Sequence, residues 1–228
     1  MSARVRAAAG AARAAGSLSR LTGRGGGTTV PGHVLMRLAP DALGELAATL
    51  PDGSVLVSAT NGKTTTSAML THILAADRTV CRNGAGANLL SGVASTLVHQ
   101  AADADVGVLE VDEAALPAVV GAIHPRALVL GNLFRDQLDR HGELEMVADR
   151  WRAMVAGLDA ETTLVLGADD PVIDALGEGR QRVVRFGIDD AEAALATADA
   201  AADSTFCVRC GTAYDYTATY LGHLGAYR

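Results

Sequence analysis

The segment Ser58–Thr66 (SATNGKTTT) joins an apolar, β-branched run, Ser54–Ala59, to a stretch with helical spacing, Thr64–Ala76. A strand, a glycine-bearing loop and a helix in that order are what a phosphate-binding P-loop requires. Gly62 would let the backbone approach phosphate oxygens. The amides of Gly62, Lys63, Thr64 and Thr65 would sit at a helix N-terminus, where unpaired N–H groups and the helix dipole attract an anion. Lys63 would reach the β- and γ-phosphates of a nucleotide as a point charge, and the Thr64 hydroxyl is placed for Mg²⁺. The generic pattern G-x-x-x-x-G-K-T calls for glycine at position 57, where the chain has Val57. A chance GKT in a turn is the alternative. Against it stands the fact that the only lysine in a chain with 18 arginines falls here.

Carboxylates and thiols supply the other candidates. Glu110 lies near the end of the apolar run Val106–Val111, and Asp112 and Glu113 follow it. Acids at the carboxyl edge of a parallel strand lie where ligands bind in such sheets. Glu110 is expected to hold the metal, directly or through water. Asp112 is expected to cap the next helix, with Glu113 in its first turn. Cys207 and Cys210 (CVRCG) have the spacing and trailing glycine of a zinc knuckle, which supplies two of four ligands. His223 is either a third ligand or a turn residue. A redox pair would open a helix in a thioredoxin-like βαβ unit, which is absent here. Cys81 reads as a small core hydrophobe on a buried strand.

Alternating elements must position these groups. The strand candidates are Ser54–Ala59, Thr79–Arg82, Val106–Val111, Ala127–Gly131, Thr163–Gly167 and Val183–Gly187. The helix candidates are Asp41–Leu50 with Asp41 as N-cap, Thr64–Ala76, Asn88–Gln100, Glu113–Ile123, Glu143–Gly157 and Pro171–Leu176. Several strands are apolar nearly throughout, as strands covered on both faces of a parallel sheet are. The β-α-β-α order predicts an α/β fold: an open, mostly parallel sheet with helices on both sides. Residues 1–32 read as a basic helix and a glycine-rich linker, 33–203 as the nucleotide-binding α/β domain, and 204–228 as the start of a small separate element. Residues 189–203 are of low complexity.

Composition narrows the function classes. With 228 residues, 49% hydrophobic and 20% charged, the chain can bury a core. No run of 18 apolar residues predicts a transmembrane helix, and no signal peptide is visible. Three cysteines point to a reducing, cytoplasmic setting. The net charge of −7 is uneven: residues 1–40 hold six arginines and no acid, leaving 26 acids against 13 bases in residues 41–228. Such an acidic body argues against duplex nucleic acid as the main ligand. The basic helix could lie on an anionic membrane surface, but its apolar face is mostly alanine, so binding there would be weak. A solvated or partner-packed helix is the other reading.

Together, SATNGKTTT, the Glu110 strand end, Asn132–Glu145 (NLFRDQLDRHGELE) and Gly167–Pro171 (GADDP) resemble the central ATPase domain of the Mur ligases. The stretches Thr28–Pro40 (TTVPGHVLMRLAP), Gly84–Gly92 (GAGANLLSG) and Leu109–Ala114 (LEVDEA) resemble one branch, the ligase subunits of lipid II isoglutaminyl synthases. The resemblance spans residues 25–228. It implies an ATP-dependent ligase that activates the D-glutamate α-carboxylate of lipid II as an acyl phosphate for amidation, in peptidoglycan biosynthesis. Ammonia would come from a GatD-type glutaminase partner, at the inner face of the membrane. By the same resemblance Thr60, Asn61, Gly62, Lys63, Thr64 and Thr65 form the phosphate loop and Glu110 is the magnesium glutamate. Asn132 is the post-strand asparagine, and Asp169 and Asp170 are the nucleotide-side acids. Cys207 and Cys210 would belong to a structural zinc ribbon, with its second cysteine pair and a C-terminal domain beyond Arg228. Gln137 stands where most of the family has a histidine that helps hold a second Mg²⁺. The absence of a second lysine excludes the family's carbamylated lysine, and Gly167 replaces the usual asparagine. A folylpolyglutamate synthase-like ligase and a non-catalytic nucleotide-binding scaffold are the alternatives.

Overall fold

The computed structural model describes residues 1–21, 29–84, 86–134, 143–195, 206–207 and 209–228. The motif residues 135–142, Gln137 among them, therefore lie outside the described residues, as do 22–28 of the glycine-rich linker and 196–205 of the low-complexity stretch. Six strands form a sheet of order β2-β3-β1-β4-β5-β6, and two compact bodies divide the chain.

The first body is residues 1–58 and 62–128. Its strands β1 (Ser54–Ser58), β2 (Val80–Arg82) and β3 (Val106–Glu110) are parallel, with Leu56 beside Leu109 and Cys81 beside Gly107. Every residue of β3 is buried, which is why VGVLE shows no alternation. Cys81 is fully buried, and burial pushes its thiol up to about 12.

Helices α1 (Ala3–Leu21), α2 (Val30–Leu38), α3 (Ala42–Ala47), α4 (Lys63–Leu74), α5 (Leu90–Gln100) and α6 (Leu116–Ile123) belong to this body. The small face of α1 is packed: Val5, Ala8, Ala9, Ala12 and Gly16 are buried, and the helix contacts α2 and α5. Part of the face considered for a membrane surface, Val5, Ala8 and Ala12, is thus packed within the fold, while Leu18 is exposed. Approach is close because glycines sit at the crossings. A Cβ on Gly16 would lie 2.6 Å from Pro31 Cγ, and one on Gly32 would lie 1.8 Å from the Ser91 carbonyl oxygen. The Gly32 amide donates to Ser95 Oγ at 2.8 Å.

Three local expectations change. Helix α2 begins at Val30, inside the expected linker, because Pro31 is tolerated in a first turn where its missing N–H has no partner to lose. Asp41 precedes α3 but makes no side-chain cap. The helix expected from Glu113 starts instead at Leu116, with Ala115 at its N-cap and Pro117 in its first turn. Asp112 Oδ1 accepts from the Ala114 amide at 3.0 Å, so Asp112 closes a turn rather than capping the helix.

The second body is residues 59–61 and 129–228. Strand β4 (Ala127–Leu130) runs into it. It contains α7 (Glu143–Ala156), β5 (Thr163–Gly167), α8 (Pro171–Asp174) and β6 (Val183–Phe186), with β6 parallel to β5. Strand β6 is largely exposed, consistent with its place at the end of the sheet order. The sole tryptophan, Trp151 in α7, is fully buried. Strands β7 (Tyr216–Leu221) and β8 (Leu224–Tyr227) form a separate antiparallel hairpin. Tyr214 packs edge-on against Tyr227, ring centroids 5.0 Å apart, and Tyr216 lies 5.8 Å from Tyr227. Among the described residues, no helix is long and apolar enough to cross a membrane.

Candidate functional site

The turn after β1 is set by one residue. Gly62 has φ +87° and stands at the N-cap of α4, in the left-handed region that a side chain would disfavour. Its carbonyl accepts from the Thr66 amide at 2.9 Å. Lys63 is the first helical residue, so the amides of Lys63, Thr64 and Thr65 belong to the first turn, which has no intrahelical acceptors. Thr64 and Thr65 are exposed.

Within the same body, Lys63 Nζ donates to both Glu113 oxygens, each at 3.1 Å. Both side chains are mostly buried, at 13% and 19% exposure. Glu113 can reach because it lies on the turn before α6 and not in the helix. Glu110 closes β3 and is 5% exposed. Asn83 clamps its backbone: the Glu110 amide donates to Asn83 Oδ1 and Asn83 Nδ2 donates to the Glu110 carbonyl, each at 2.8 Å. Ser58 Oγ donates to the Val111 carbonyl at 2.9 Å. Gly62, Lys63, Thr64, Thr65 and Glu110 thus belong to one body, in which β1 and β3 are paired neighbours. Neither Asn83 nor Glu113 was assigned a site role from the sequence. Pro117 was the usable signal for Glu113, since proline favours the first helical turn and so moves the helix start past it. Asn83 had none.

Thr60, Asn61, Asn132, Asp169 and Asp170 belong to the second body. The Asn132 side chain reads Asn61 from both sides, accepting from its amide at 2.9 Å and donating to its carbonyl at 3.1 Å. The Thr60 amide donates to the Asn132 carbonyl at 2.8 Å, and the Phe134 amide donates to Thr60 Oγ1 at 2.9 Å. Asp170 is fully buried. Its Oδ1 accepts from the Val172 amide at 2.9 Å, capping α8, and its Oδ2 accepts from the Leu133 amide at 2.8 Å. That carboxylate holds protein together and has no surface to offer a ligand.

Asp169 does have surface. It borders an open cleft of about 470 Å³ with Asp174, Thr217, Tyr227 and Arg228. Desolvation raises its carboxyl above the ordinary range, opposed by the Ile188 amide that donates to Oδ2 at 3.0 Å. Gly167 has no room for any side chain: a Cβ there would lie 2.1 Å from the Gly131 carbonyl oxygen. Glycine at position 167 is therefore fixed by packing.

Cys207 and Cys210 flank a tight turn closed by the Gly211 amide donating to the Cys207 carbonyl at 2.9 Å, with Gly211 at φ +69°. Cys207 is lowered to about 7, chiefly by the Cys210 amide, then by those of Arg209 and the Tyr214 hydroxyl. Among the described residues no group of three or more His, Cys, Asp or Glu is set to hold a metal. The two thiols offer half of a zinc site. His223 is no third ligand: it sits in the β7–β8 turn, 1% exposed, with Nε2 3.2 Å from Asp170 Oδ2.

Residues 57–223 match the Mur ligase middle domain. The chain is 32% identical over 218 residues to the lipid II isoglutaminyl synthase (glutamine-hydrolyzing) subunit MurT of Staphylococcus aureus strain N315, covering 95% of this chain and 49% of that protein. It is 36% identical over 163 residues to the subunit of the same name from Streptococcus pneumoniae strain R6, covering 68% of this chain and 34% of that protein. The chain thus spans at most about half the length of these curated relatives. Among solved structures, a pseudomurein peptide ligase type C from Methanothermus fervidus superposes with a TM-score of 0.60 at 24% identity, over 78% of this chain and 35% of that one.

Proposed function

The chain belongs to the Mur ligase family, and we propose that it is the ATP-binding part of a carbon–nitrogen ligase, the MurT-type subunit of a lipid II isoglutaminyl synthase. The observation that carries this is the junction at Gly62: a left-handed glycine at the N-cap of α4, followed at once by the chain's only lysine. An anion seated there meets the first-turn amides, the positive end of the helix dipole and an ammonium.

Each residue has a role in this reading. Lys63 and the amides of Gly62, Lys63, Thr64 and Thr65 bind the nucleotide phosphates. Thr64 and Glu110 would hold Mg²⁺, whose chemistry is to screen phosphate charge. Oxygen donors, one of them a carboxylate at a strand end, suit that hard cation. By the family resemblance Thr60, Asn61 and Asn132 would shape the phosphate loop, and Asp169 would be a nucleotide-side acid. Asp170, buried and saturated, is assigned to holding the segment after β4. Cys207 and Cys210 would contribute two thiolates to a structural Zn²⁺, to which the depressed Cys207 thiol is suited. Residues 33–203 would then be the ATP-binding domain, and 204–228 would belong to a zinc ribbon.

The reaction fits a site without a nucleophilic side chain. A carboxylate oxygen of D-glutamate in lipid II attacks the γ-phosphorus, and ADP leaves. Ammonia from a GatD-type glutaminase partner then attacks the acyl carbon, phosphate leaves, and the surplus proton passes to water. Lys63 and the helix-end amides stabilise charge on the transferring group, which is where such catalysis gains most. The substrate's lipid anchor would place the work at the cytoplasmic face of a membrane. The test is to combine the full-length protein with its glutaminase, ATP, glutamine and lipid II. Appearance of ADP and of an α-amidated stem peptide supports the reading, while ADP with an unmodified stem peptide removes it.

A further inference from the structure

The β7–β8 hairpin takes no part in the chemistry above, yet its turn is anchored in the interior of the second body. His223 is 1% exposed and Asp170 is fully buried. The imidazole Nε2 faces Asp170 Oδ2 at 3.2 Å without making a hydrogen bond. The ring packs on Phe134 with centroids 4.7 Å apart and planes at 50°. Gly222, at φ +56°, presses on the same ring: a Cβ there would lie 2.8 Å from Phe134 Cε1. The hairpin is pinned again where the Gly225 amide donates to the Asp169 carbonyl at 2.9 Å.

Asn132, Leu133 and Phe134 lie in no helix or strand. They are held by side chains instead. Leu133 donates to Asp170, Phe134 donates to Thr60 Oγ1, and Asn132 exchanges two hydrogen bonds with Asn61. A continuous path of contacts therefore runs from His223 through Asp170 and Phe134 to Thr60 and Asn61, all within one body.

We propose that His223 is a positioning residue for the Thr60–Asn61 loop. By fixing the Phe134 ring and facing the carboxylate that holds Leu133, it sets the segment on which that loop hangs. The hairpin thus supports the loop from below, and a change in the hairpin is felt at Asn61. The functional consequence rests on the nucleotide reading of that loop.

The experiment uses the full-length protein and its variants His223→Phe and His223→Gln. Amide exchange of residues 59–62 is followed by mass spectrometry, and ADP affinity by calorimetry. His223→Phe keeps a ring against Phe134 but loses the imidazole nitrogen facing Asp170. Exchange at 59–62 is expected to rise and ADP affinity to fall, each about tenfold, while α1, α2 and α5 exchange at wild-type rates. His223→Gln, which keeps a polar nitrogen that can face Asp170, recovers part of both. Unchanged exchange and unchanged affinity in His223→Phe overturn the proposal. Should that variant unfold, His223→Gln decides alone: faster loop exchange at an unaltered melting temperature supports the role, and wild-type exchange refutes it. If the wild type binds no ADP while exchange still responds to His223, the positioning role stands and the nucleotide reading falls.

Discussion

Lys63 Nζ lies 3.1 Å from both carboxylate oxygens of Glu113, which makes the only lysine of the chain one half of a bidentate ion pair. The ammonium proposed above to meet phosphate is thereby charge-compensated within the fold. In that reading phosphate and Glu113 compete for it, because two anions cannot share one cation without repelling each other.

Removing that competitor should therefore strengthen binding. Glu113→Gln is expected to bind ADP about fivefold more tightly in the absence of Mg²⁺, the scale of a partly exposed ion pair. Lys63→Ala should bind no ADP measurable by calorimetry. Equal affinities in wild type and Glu113→Gln would show that the pair has no bearing on the nucleotide.

Asn132 makes two hydrogen bonds that fix the backbone of Asn61. Asn132→Ala is expected to cost about 2 kcal/mol in urea denaturation, because Asn61 loses an acceptor and a donor together. ADP affinity should fall with it. Asn132→Asp keeps the acceptor alone and should lie between the two.

Gly167 is expected to tolerate no larger residue. Gly167→Ala would bring a methyl group to 2.1 Å from the Gly131 carbonyl oxygen. Backbone must move to relieve that, at a cost of about 3 kcal/mol. A melting temperature within a degree of wild type would show that the two segments part easily.

The three thiols should separate by pH. In the metal-free protein, alkylation of Cys207 is expected to have its midpoint at about 7, while the buried Cys81, raised to about 12, stays unreactive until unfolding. The Cys207 shift also has a sign for stability. Its folded value lies below the ordinary 9.0, so it contributes stability that is fully present above 9.0 and lost as pH falls through about 7. Replacing Cys207 by serine should flatten that interval in a pH series of denaturation curves. A Cys207 midpoint near 9 would show that the amides of Cys210 and Arg209 do not reach the sulfur.

Much of this was legible in the residues. The run VGVLE read as a doubly covered strand because every residue of β3 is buried, and the Gly62–Lys63 junction read as a helix start because glycine and helical spacing both mark it locally. Misreadings came where one residue competed for two local roles. Asp112 was given a helix end, but its side chain closes a turn with Ala114, and Glu113 was thereby released toward Lys63. The tie between His223 and Asp170 spans 53 residues and has no local signature, and the packing of α1 was invisible because alanine is as suited to a packed face as to a weakly amphipathic one.

The burial of Trp151 sets what an optical experiment can see. As the sole tryptophan, in α7 of the second body, it reports the unfolding of that body and is silent about the helices α1 to α6. A fluorescence melt and a circular dichroism melt will coincide if the two bodies unfold as one cooperative unit. A gap between them would be a direct measure of their independence.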